Sequence, residues 1–341
     1  MTFQGRDAVQ IENGHLRVTV LREGGHIAEI LHKPSDVNPL WIPPWPSIEP
    51  SSYDAAKHPE YGRNEESLLL SGIMGHNLCL DTFGPPSPEE AAAGLSVHGE
   101  GSVARYKIQS GNGELTARVT LPSADLSFVR TIQLDPDGES VHISETVENL
   151  GATDRPIAWT QHVTLGPPFL EGGVTQFAAS ATKSRTFERE GFDAGGLERG
   201  ADYIWPHAPL KGGGAIDQRV FTDAPVSGKF TTHLMDAGKP TAFFAAYHPR
   251  LKLLFSYRWQ RTDFPWLGIW EEKRSRKSAP WNGNAVAVGM EFGVSPMPET
   301  RRGMIERREL FGTPVYRWLP ARSKHTVEYT AALRRAEEIG G

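Results

Sequence analysis

Residues 104–165 read ARYKIQSGNGELTARVTLPSADLSFVRTIQLDPDGESVHISETVENLGATDRPIAWTQHVTL, and this segment is the most informative about the fold. It divides into five segments in which apolar and polar residues alternate, separated by turn signals such as SGNGE at 110–114 and DPDG at 135–138. Alternation with a period of two places successive side chains on opposite faces and is typical of half-buried β-strands. Five such segments in about sixty residues predict an antiparallel β-meander.

The same pattern extends in both directions from this meander. Asn13-Gly14 separates two apolar runs and predicts a hairpin, and a second series of alternating segments begins near residue 230. Helical periodicity is limited to EEAAAG at 89–94 and the tail at 332–341, each at most one short helix. We therefore expect an all-β protein, a large antiparallel β-sandwich with residues 1–341 in a single domain, because no stretch reads as a linker.

Composition and missing motifs exclude several classes of function. The net charge of −5 provides no basic face, so neither nucleic acid nor an anionic membrane is an expected partner. The single cysteine, Cys79, rules out an internal disulfide, and the N-terminus lacks a signal-peptide pattern, which makes a cytoplasmic location the expectation. Phosphate-binding glycine loops, HExxH and CxxC are all absent from the sequence, so a nicotinamide or ATP site has very little support.

The clearest candidate for chemistry is Glu291, in the run AVAVGMEFGVS at 285–295. Alternation places Glu291 on the face that also carries Gly289 and Gly293, while the apolar residues occupy the other face. Flanking glycines leave the carboxylate uncovered, which predicts a charged group on a cavity floor, open to a ligand. The pattern also fits a solvent-facing glutamate on an ordinary strand.

Two histidines lie in segments of the same kind. His162 in WTQHVTLG at 159–166 falls on a small polar face just before a Gly-Pro-Pro break. His98 in GLSVHGEG at 94–101 is expected on a strand, opposite two apolar residues. Taken singly, each histidine also fits a structural, hydrogen-bonded role.

Together these segments resemble the galactose mutarotase-like (aldose 1-epimerase) superfamily, as an atypical member. The resemblance covers most of the chain from Gly24 onward and keeps the family order His, His, Glu. Its motifs are Gly24-Gly25-His26-Ile27, the segment from 71 to 84, Leu-x-x-His-Gly at 95–99, SETVENLGATDRPIAWTQHVTLG at 144–166, FPWLGIWEEK at 264–273 and VGMEFGVSPMPETRR at 288–302. The fold that this implies is the supersandwich of that superfamily.

The resemblance also implies an activity, the interconversion of sugar anomers without cofactor or metal. Opening a hemiacetal ring requires a base to take the proton of the C1 hydroxyl and an acid to protonate the ring oxygen. Glu291 would be the base, His162 the acid, and His98 a second histidine near the same atoms. Histidine suits the acid because its ordinary pKa lies near 6.5.

The family's substrate-binding residues are harder to place. The candidates are Arg63 and Arg258 for its arginine, and Asp81, Asp202 and Asp263 for its aspartate. Glu100 follows shortly after His98, where the hexose-6-phosphate branch carries an arginine. We therefore expect an unphosphorylated small-molecule carbohydrate.

Tryptophans are the other feature typical of sugar-binding proteins, since indole rings pack on sugar C–H faces and keep a polar N–H. Trp266 and Trp270 are expected on one strand face, with Gly268 between them. The irregular stretch 34–66 is rich in proline and tryptophan, which predicts a wall or lid over the cleft, with Trp45 in contact with the sugar. The alternative is that its indoles plug one end of the sandwich.

Two other functions remain open at this point. One is a carbohydrate-binding or sensor protein on the same fold without turnover. The other is different carbohydrate chemistry, such as a lyase or a hydrolase. A hydrolase needs two opposed carboxylates, and only Glu100 suggests itself as a partner for Glu291.

Overall fold

The computed structural model describes residues 1–189, 196–222, 224 and 227–340. Twenty-four strands occur in this part of the chain. They are β1 Thr2–Phe3, β2 Arg6–Glu12, β3 Leu16–Leu21, β4 Ile27–His32, β5 His76–Asp81, β6 Lys107–Gly111, β7 Glu114–Leu121, β8 Leu126–Leu134, β9 Ser140–Asn149, β10 Arg155–Leu165, β11 Gln176–Ala179, β12 Ala181–Thr186, β13 Asp202–Ile204, β14 His207–Pro209, β15 Ala215–Asp217, β16 Ser227–Met235, β17 Thr241–His248, β18 Leu253–Gln260, β19 Trp266–Lys273, β20 Val286–Gly293, β21 Glu309–Leu310, β22 Thr313–Pro314, β23 Arg317–Leu319 and β24 Lys324–Arg335.

Two large antiparallel sheets contain most of these strands. The first has the order β1-β2-β3-β4-β5-β10-β20-β19-β16-β12-β13, with β23 also paired to β10. The second has the order β11-β17-β18-β24-β9-β8-β7-β6. The pairs β14–β15 and β21–β22 stand apart as small ribbons. This confirms the prediction of an all-β antiparallel sandwich.

The hydrophobic core fills the space between the two sheets. Alternation decides which side chains reach it: Trp159 and Val163 of β10, and Met290 and Phe292 of β20, are buried there. The meander that the sequence predicted over 104–165 is present in its first four strands, β6 to β9. The fifth strand, β10, crosses to the first sheet and pairs there with β5 and β20, so this part of the prediction is wrong. The Asn13-Gly14 hairpin is also present, because β2 pairs with β3 up to Glu12 and Arg17.

Helices are few and short. The α-helices are α1 Ser67–Leu70, α2 Pro88–Ala92 and α3 Arg301–Arg307, and 3₁₀ turns occur at Pro50–Ser52, Pro59–Tyr61 and Glu100–Ser102. Helix α2 matches the expected short helix near residue 90. The expected helix at 332–341 is wrong, since β24 continues to Arg335. No helix in the described residues is long and apolar enough to cross a membrane.

The segment around His98 also differs from the prediction. Instead of a strand, residues 94–99 form turns, and His98 itself has a φ of +68°. The short alternation of residues 95–100 imitates a strand, but no neighbouring strand pairs with it in the described structure. His98 therefore reaches the sheet from a loop.

Candidate functional site

The first sheet carries the candidate site on the face that points away from the core. His162 of β10 lies directly opposite Glu291 of β20, and Gly268 of β19 lies directly opposite Glu291 on its other side. Directly opposed residues of an antiparallel pair point to the same face, with Cβ atoms about 5 Å apart. Register thus brings together two side chains that are far apart in sequence.

The imidazole and the carboxylate lie within ion-pair distance of each other. Nε2 of His162 lies 3.0 Å from Oε1 of Glu291. The other ring nitrogen, Nδ1, lies 3.0 Å from the hydroxyl of Thr164, two residues further along the same strand. Contacts at both ring nitrogens fix the orientation of the imidazole.

Glycines make room for the Glu291 side chain. A Cβ added at Gly289 would overlap Oε1 of Glu291, closer than real Cβ atoms approach other atoms. A Cβ at Gly268 would meet the Phe230 ring, which packs across the gap that this glycine leaves. The GMEFG pattern therefore marks a carboxylate that leans along its own strand toward Thr164, the cross-strand partner of Gly289.

Burial sets the electrostatics of the pair. Glu291 is 2% exposed and lines the cavity, so the alternative of a solvent-facing glutamate is wrong. Desolvation raises the pKa of Glu291 to about 8. The same desolvation, reinforced by the neighbouring His98, holds the pKa of His162 well below its usual value. Both shifts favour neutral forms, so the pair holds a single proton near neutral pH.

His98 stands beside the pair. Its ring centroid lies 5.0 Å from that of His162 in an edge-on arrangement. Its Nδ1 lies 2.7 Å from the carbonyl oxygen of Phe83, and because a carbonyl can only accept, Nδ1 carries the hydrogen. Burial lowers the pKa of His98 to about 4. The neutral ring therefore offers Nε2 as an acceptor.

The pair and His98 line a cavity of about 380 Å³. This volume is in the range of small-molecule sites, which combine apolar walls with a few polar groups. The polar groups come from Glu291, His162, His98 and Thr164 at the inner end and from charged side chains near the entrance. The described part of the chain contains no group of three or more His, Cys, Asp or Glu side chains placed to hold a metal ion.

Three tryptophans form one wall of the cavity. Trp41, Trp270 and Trp281 all line it, with the Trp41 and Trp281 rings stacked at 6.2 Å. Trp45 packs edge-on behind them, 5.5 Å from Trp41 and 5.1 Å from Trp281, and donates from Nε1 to the carbonyl of Leu70. The long loop thus borders the cavity through Trp41, whereas Trp45 supports the wall without lining it.

Arginines and glutamates surround the entrance. The guanidinium of Arg276 lies 4.6 Å above the Trp281 ring and pairs with Glu66 at 3.3 Å. Arg189 and Glu65 also line the cavity, and both are exposed. Sequence reasoning missed Arg276 and Arg189. The signal for Arg276 was its position in the loop between the two strands that carry Trp270 and Glu291.

Two other predicted substrate-binding residues are buried outside the cavity. Asp81 lies on β5 and forms ion pairs with Arg155 and Arg301, at 2.6 Å in the second case. Trp266 shares the strand face of Trp270, as expected, but is fully buried and donates to the carbonyl of Pro314. Neither reaches the cavity, because the chain after residue 296 covers this part of the sheet.

The remaining candidates also lie away from this cavity. Arg258 is exposed on the second sheet, Asp202 pairs with Arg185 near the far edge of the first sheet, and Asp263 lies in the turn before β19. Arg63 lines a separate, neighbouring cavity. Spacing along the chain could not show which of these side chains share a face with Glu291.

Glu100 does not line the cavity either. Its carboxylate accepts a hydrogen bond from the backbone N–H of Ala124 at 3.1 Å. It therefore cannot serve as the second carboxylate of a hydrolase at Glu291. Its position also removes Glu100 from any direct role in selecting against phosphate.

The likeness of this chain to known proteins lies in its fold. No family model matches the chain, and no curated protein matches it in sequence. A structure from Klebsiella pneumoniae, provisionally described as an aldose 1-epimerase, is similar with a TM-score of 0.68 and 15% identity over 94% of this chain and 77% of the other.

Two further structures carry the description galactose mutarotase-like protein. The one from Clostridium acetobutylicum has a TM-score of 0.63 and 13% identity, covering 98% of this chain and 97% of the other. The one from Lactobacillus casei has a TM-score of 0.61 and 13% identity, covering 96% of this chain and all of the other. At these identities the likeness is one of fold. The chain has the galactose mutarotase-like fold.

Proposed function

We propose that this protein interconverts the anomers of a free, unphosphorylated aldose, as an aldose 1-epimerase-like enzyme. The observation that supports the proposal best is the contact of 3.0 Å between His162 Nε2 and Glu291 Oε1 at the inner end of a tryptophan-walled cavity. The two oxygens that exchange protons during ring opening are both bonded to C1. An acid and a base that serve them must therefore lie close together, as these two groups do.

Ring opening uses the single proton of the pair. When the sugar enters, the single proton of the pair moves from Glu291 to His162, so that the C1 hydroxyl donates to the Glu291 carboxylate and the ring oxygen accepts from protonated His162. Glu291 takes the hydroxyl proton, His162 gives its proton to the ring oxygen, the C1–O5 bond breaks and the C1 carbonyl forms. The open-chain aldehyde now lies between protonated Glu291 and neutral His162.

Ring closure reverses these roles after rotation about C1–C2. His162 removes the proton from the C5 hydroxyl as this oxygen attacks the opposite face of C1. Glu291 then returns its proton to the carbonyl oxygen, and the proton on His162 moves back to Glu291 when the product leaves. His98 takes part by accepting a hydrogen bond at Nε2 from a sugar hydroxyl, since its lowered pKa keeps that nitrogen unprotonated.

The surroundings of the pair suit a neutral sugar. Trp270 and Trp281 offer ring faces and edges on which sugar C–H groups pack. Glu65 and Glu66 at the entrance oppose the positive charges of Arg189 and Arg276. This balance of charge favours an unphosphorylated carbohydrate over a phosphate ester.

Polarimetry on freshly dissolved aldoses tests the proposal. The protein should accelerate the change in optical rotation of at least one aldose, and Glu291→Gln should lower the rate by about 10²–10⁴-fold because it removes the acid–base group. Glu328→Gln, at an exposed position on β24, is the matched control and should leave the rate unchanged. Failure to accelerate any aldose, or full activity of Glu291→Gln, would contradict the proposal.

Sugar binding without turnover is the second candidate. It is favoured by one observation: the expected arginine and aspartate candidates Arg63, Arg258, Asp81 and Asp263 all lie outside the cavity. Binding and catalysis can be separated through the indoles at the cavity wall, whose fluorescence should change when a sugar binds. Saturable fluorescence changes without any acceleration of mutarotation would support this alternative.

A further inference from the structure

A second cavity, of about 720 Å³, lies beside the first. The two meet at Glu65, which lines both. Elsewhere consecutive residues of one segment line different cavities, since Ser96 lines the second and Val97 the first. In the same way Leu68 faces the second cavity and Leu69 the first.

The lining of the second cavity combines an aromatic ring with polar groups. Tyr53 is half-buried and held by ring contacts with His58 and Tyr61, at 6.2 and 6.3 Å. Arg63 is exposed and makes no ion pair within the described residues. An aromatic surface beside hydrogen-bonding side chains suits the apolar faces and hydroxyl groups of a sugar.

Asn64 and Glu65 add polar groups with capacity to spare. The side-chain oxygen Oδ1 of Asn64 accepts from the backbone N–H of Glu66 and from the Ser67 hydroxyl, whereas its side-chain nitrogen Nδ2 has no partner within the part of the chain that the structure describes. Glu65 is exposed at the junction of the two cavities. Its carboxylate can thus accept hydroxyl hydrogen bonds from either side.

We propose that the second cavity is a sugar subsite, so that the substrate is a reducing disaccharide or longer oligosaccharide whose terminal reducing ring occupies the first cavity. The ring adjacent to the reducing end packs on Tyr53 and meets Arg63, Asn64 and Glu65. This inference rests on the proposed function for its assignment of the reducing end. In this arrangement Arg63 binds the second sugar ring, while Glu291 acts on the reducing ring.

Mutarotation kinetics with matched sugars test the subsite. The panel pairs glucose with maltose and cellobiose, and galactose with lactose, and compares kcat/KM. The protein should prefer at least one disaccharide to its monosaccharide. Tyr53→Ala and Arg63→Ala should each lower that preference by about two- to tenfold, the effect of losing one ring or polar contact. Arg118→Ala, at an exposed position on β7, is the control and should keep the preference.

Affinity separates failure of the subsite from failure of the proposed function. Intrinsic tryptophan fluorescence reports binding of the same sugars whether or not turnover occurs. Tighter binding of a disaccharide that depends on Tyr53 and Arg63 supports the subsite even if no sugar is epimerised, in which case the proposed function alone fails. Equal affinities for monosaccharides and disaccharides, or a disaccharide preference that both variants retain, would overturn the subsite.

Discussion

Two buried carboxylates, Glu145 of β9 in the second sheet and Glu291 of β20 in the first, lie on opposite sides of the first sheet and have contrasting surroundings. Glu145 lies between the sheets and accepts from Arg130 at 2.7 Å, Tyr329 at 2.7 Å, Trp159 at 3.0 Å and Gln161 at 2.6 Å. Glu291, on the other face, has His162 as its one partner among the described residues.

The contrast shows how one fold makes a structural and a reactive carboxylate from the same side chain. Four donors, one of them a guanidinium, satisfy the negative charge of Glu145 inside the core. The Glu291 side chain is equally buried but has no arginine or lysine within ion-pair distance in the described structure, and burial raises its pKa to about 8. A carboxyl that exchanges its proton near neutral pH is suited to acid–base chemistry.

The largest expected effect concerns stability. Glu145→Ala leaves the Arg130 guanidinium and three other donors buried without their acceptor, so the free energy of unfolding should fall by about 3–5 kcal/mol. Glu291→Gln should lower the free energy of unfolding by less than about 1 kcal/mol, because a glutamine amide can still donate to His162 Nε2. Urea unfolding of both variants at pH 7 measures the two changes in the free energy of unfolding. A larger loss for Glu291→Gln would reverse the assignment of structural and reactive roles.

A smaller effect is expected from crowding the reactive carboxylate without removing it. Gly289→Ala forces Oε1 of Glu291 to move, and a displacement of about 1 Å can lower a rate by about 10²-fold. The control is Gly111→Ala, also in a strand, where an added Cβ meets nothing within 4 Å. Rates of mutarotation measured for both variants test the placement of the carboxylate, which would be unsupported if Gly289→Ala kept full activity.

The smallest expected effects distinguish the tryptophans that line the cavity from Trp45, which packs behind them. Trp45→Ala removes a half-buried ring that packs behind the wall, so the free energy of unfolding should fall by about 2 kcal/mol while sugar affinity stays within about twofold. Trp270→Ala, in the cavity lining, should weaken binding by up to about tenfold. Thermal unfolding and sugar titration of both variants measure these effects. Strongly weakened sugar binding in Trp45→Ala at unchanged stability would instead place Trp45 in contact with the ligand.

Local pattern explains which parts of the molecule the sequence could predict. Strand alternation identifies β6 to β10 and places the apolar side chains of β20 in the core, because the period of two is a property of neighbouring residues. The glycines around Glu291 marked a special position for the same reason. That residues 1–341 form one domain stays a prediction.

Long-range packing explains what the sequence could not predict. Glu291 shares its cavity with Phe230 and Trp270, which come from two other strands. The exclusion of Asp81 and Trp266 from the cavity depends on how the chain after residue 296 covers the sheet. The alternation of residues within a single strand reveals neither the side chains that come from other strands nor the segment that covers the sheet.

The central claim is that Glu291 carries the proton of its pair with His162 at neutral pH, and its own titration tests this most directly. The carbon-13 chemical shift of its carboxyl group, assigned by its disappearance in Glu291→Gln, would be followed from pH 4 to pH 10. Burial raises the folded-state pKa, so the shift should remain that of a protonated carboxyl through pH 7 and change near pH 8. A carboxyl that titrates near its ordinary value of about 4.3 would contradict the account.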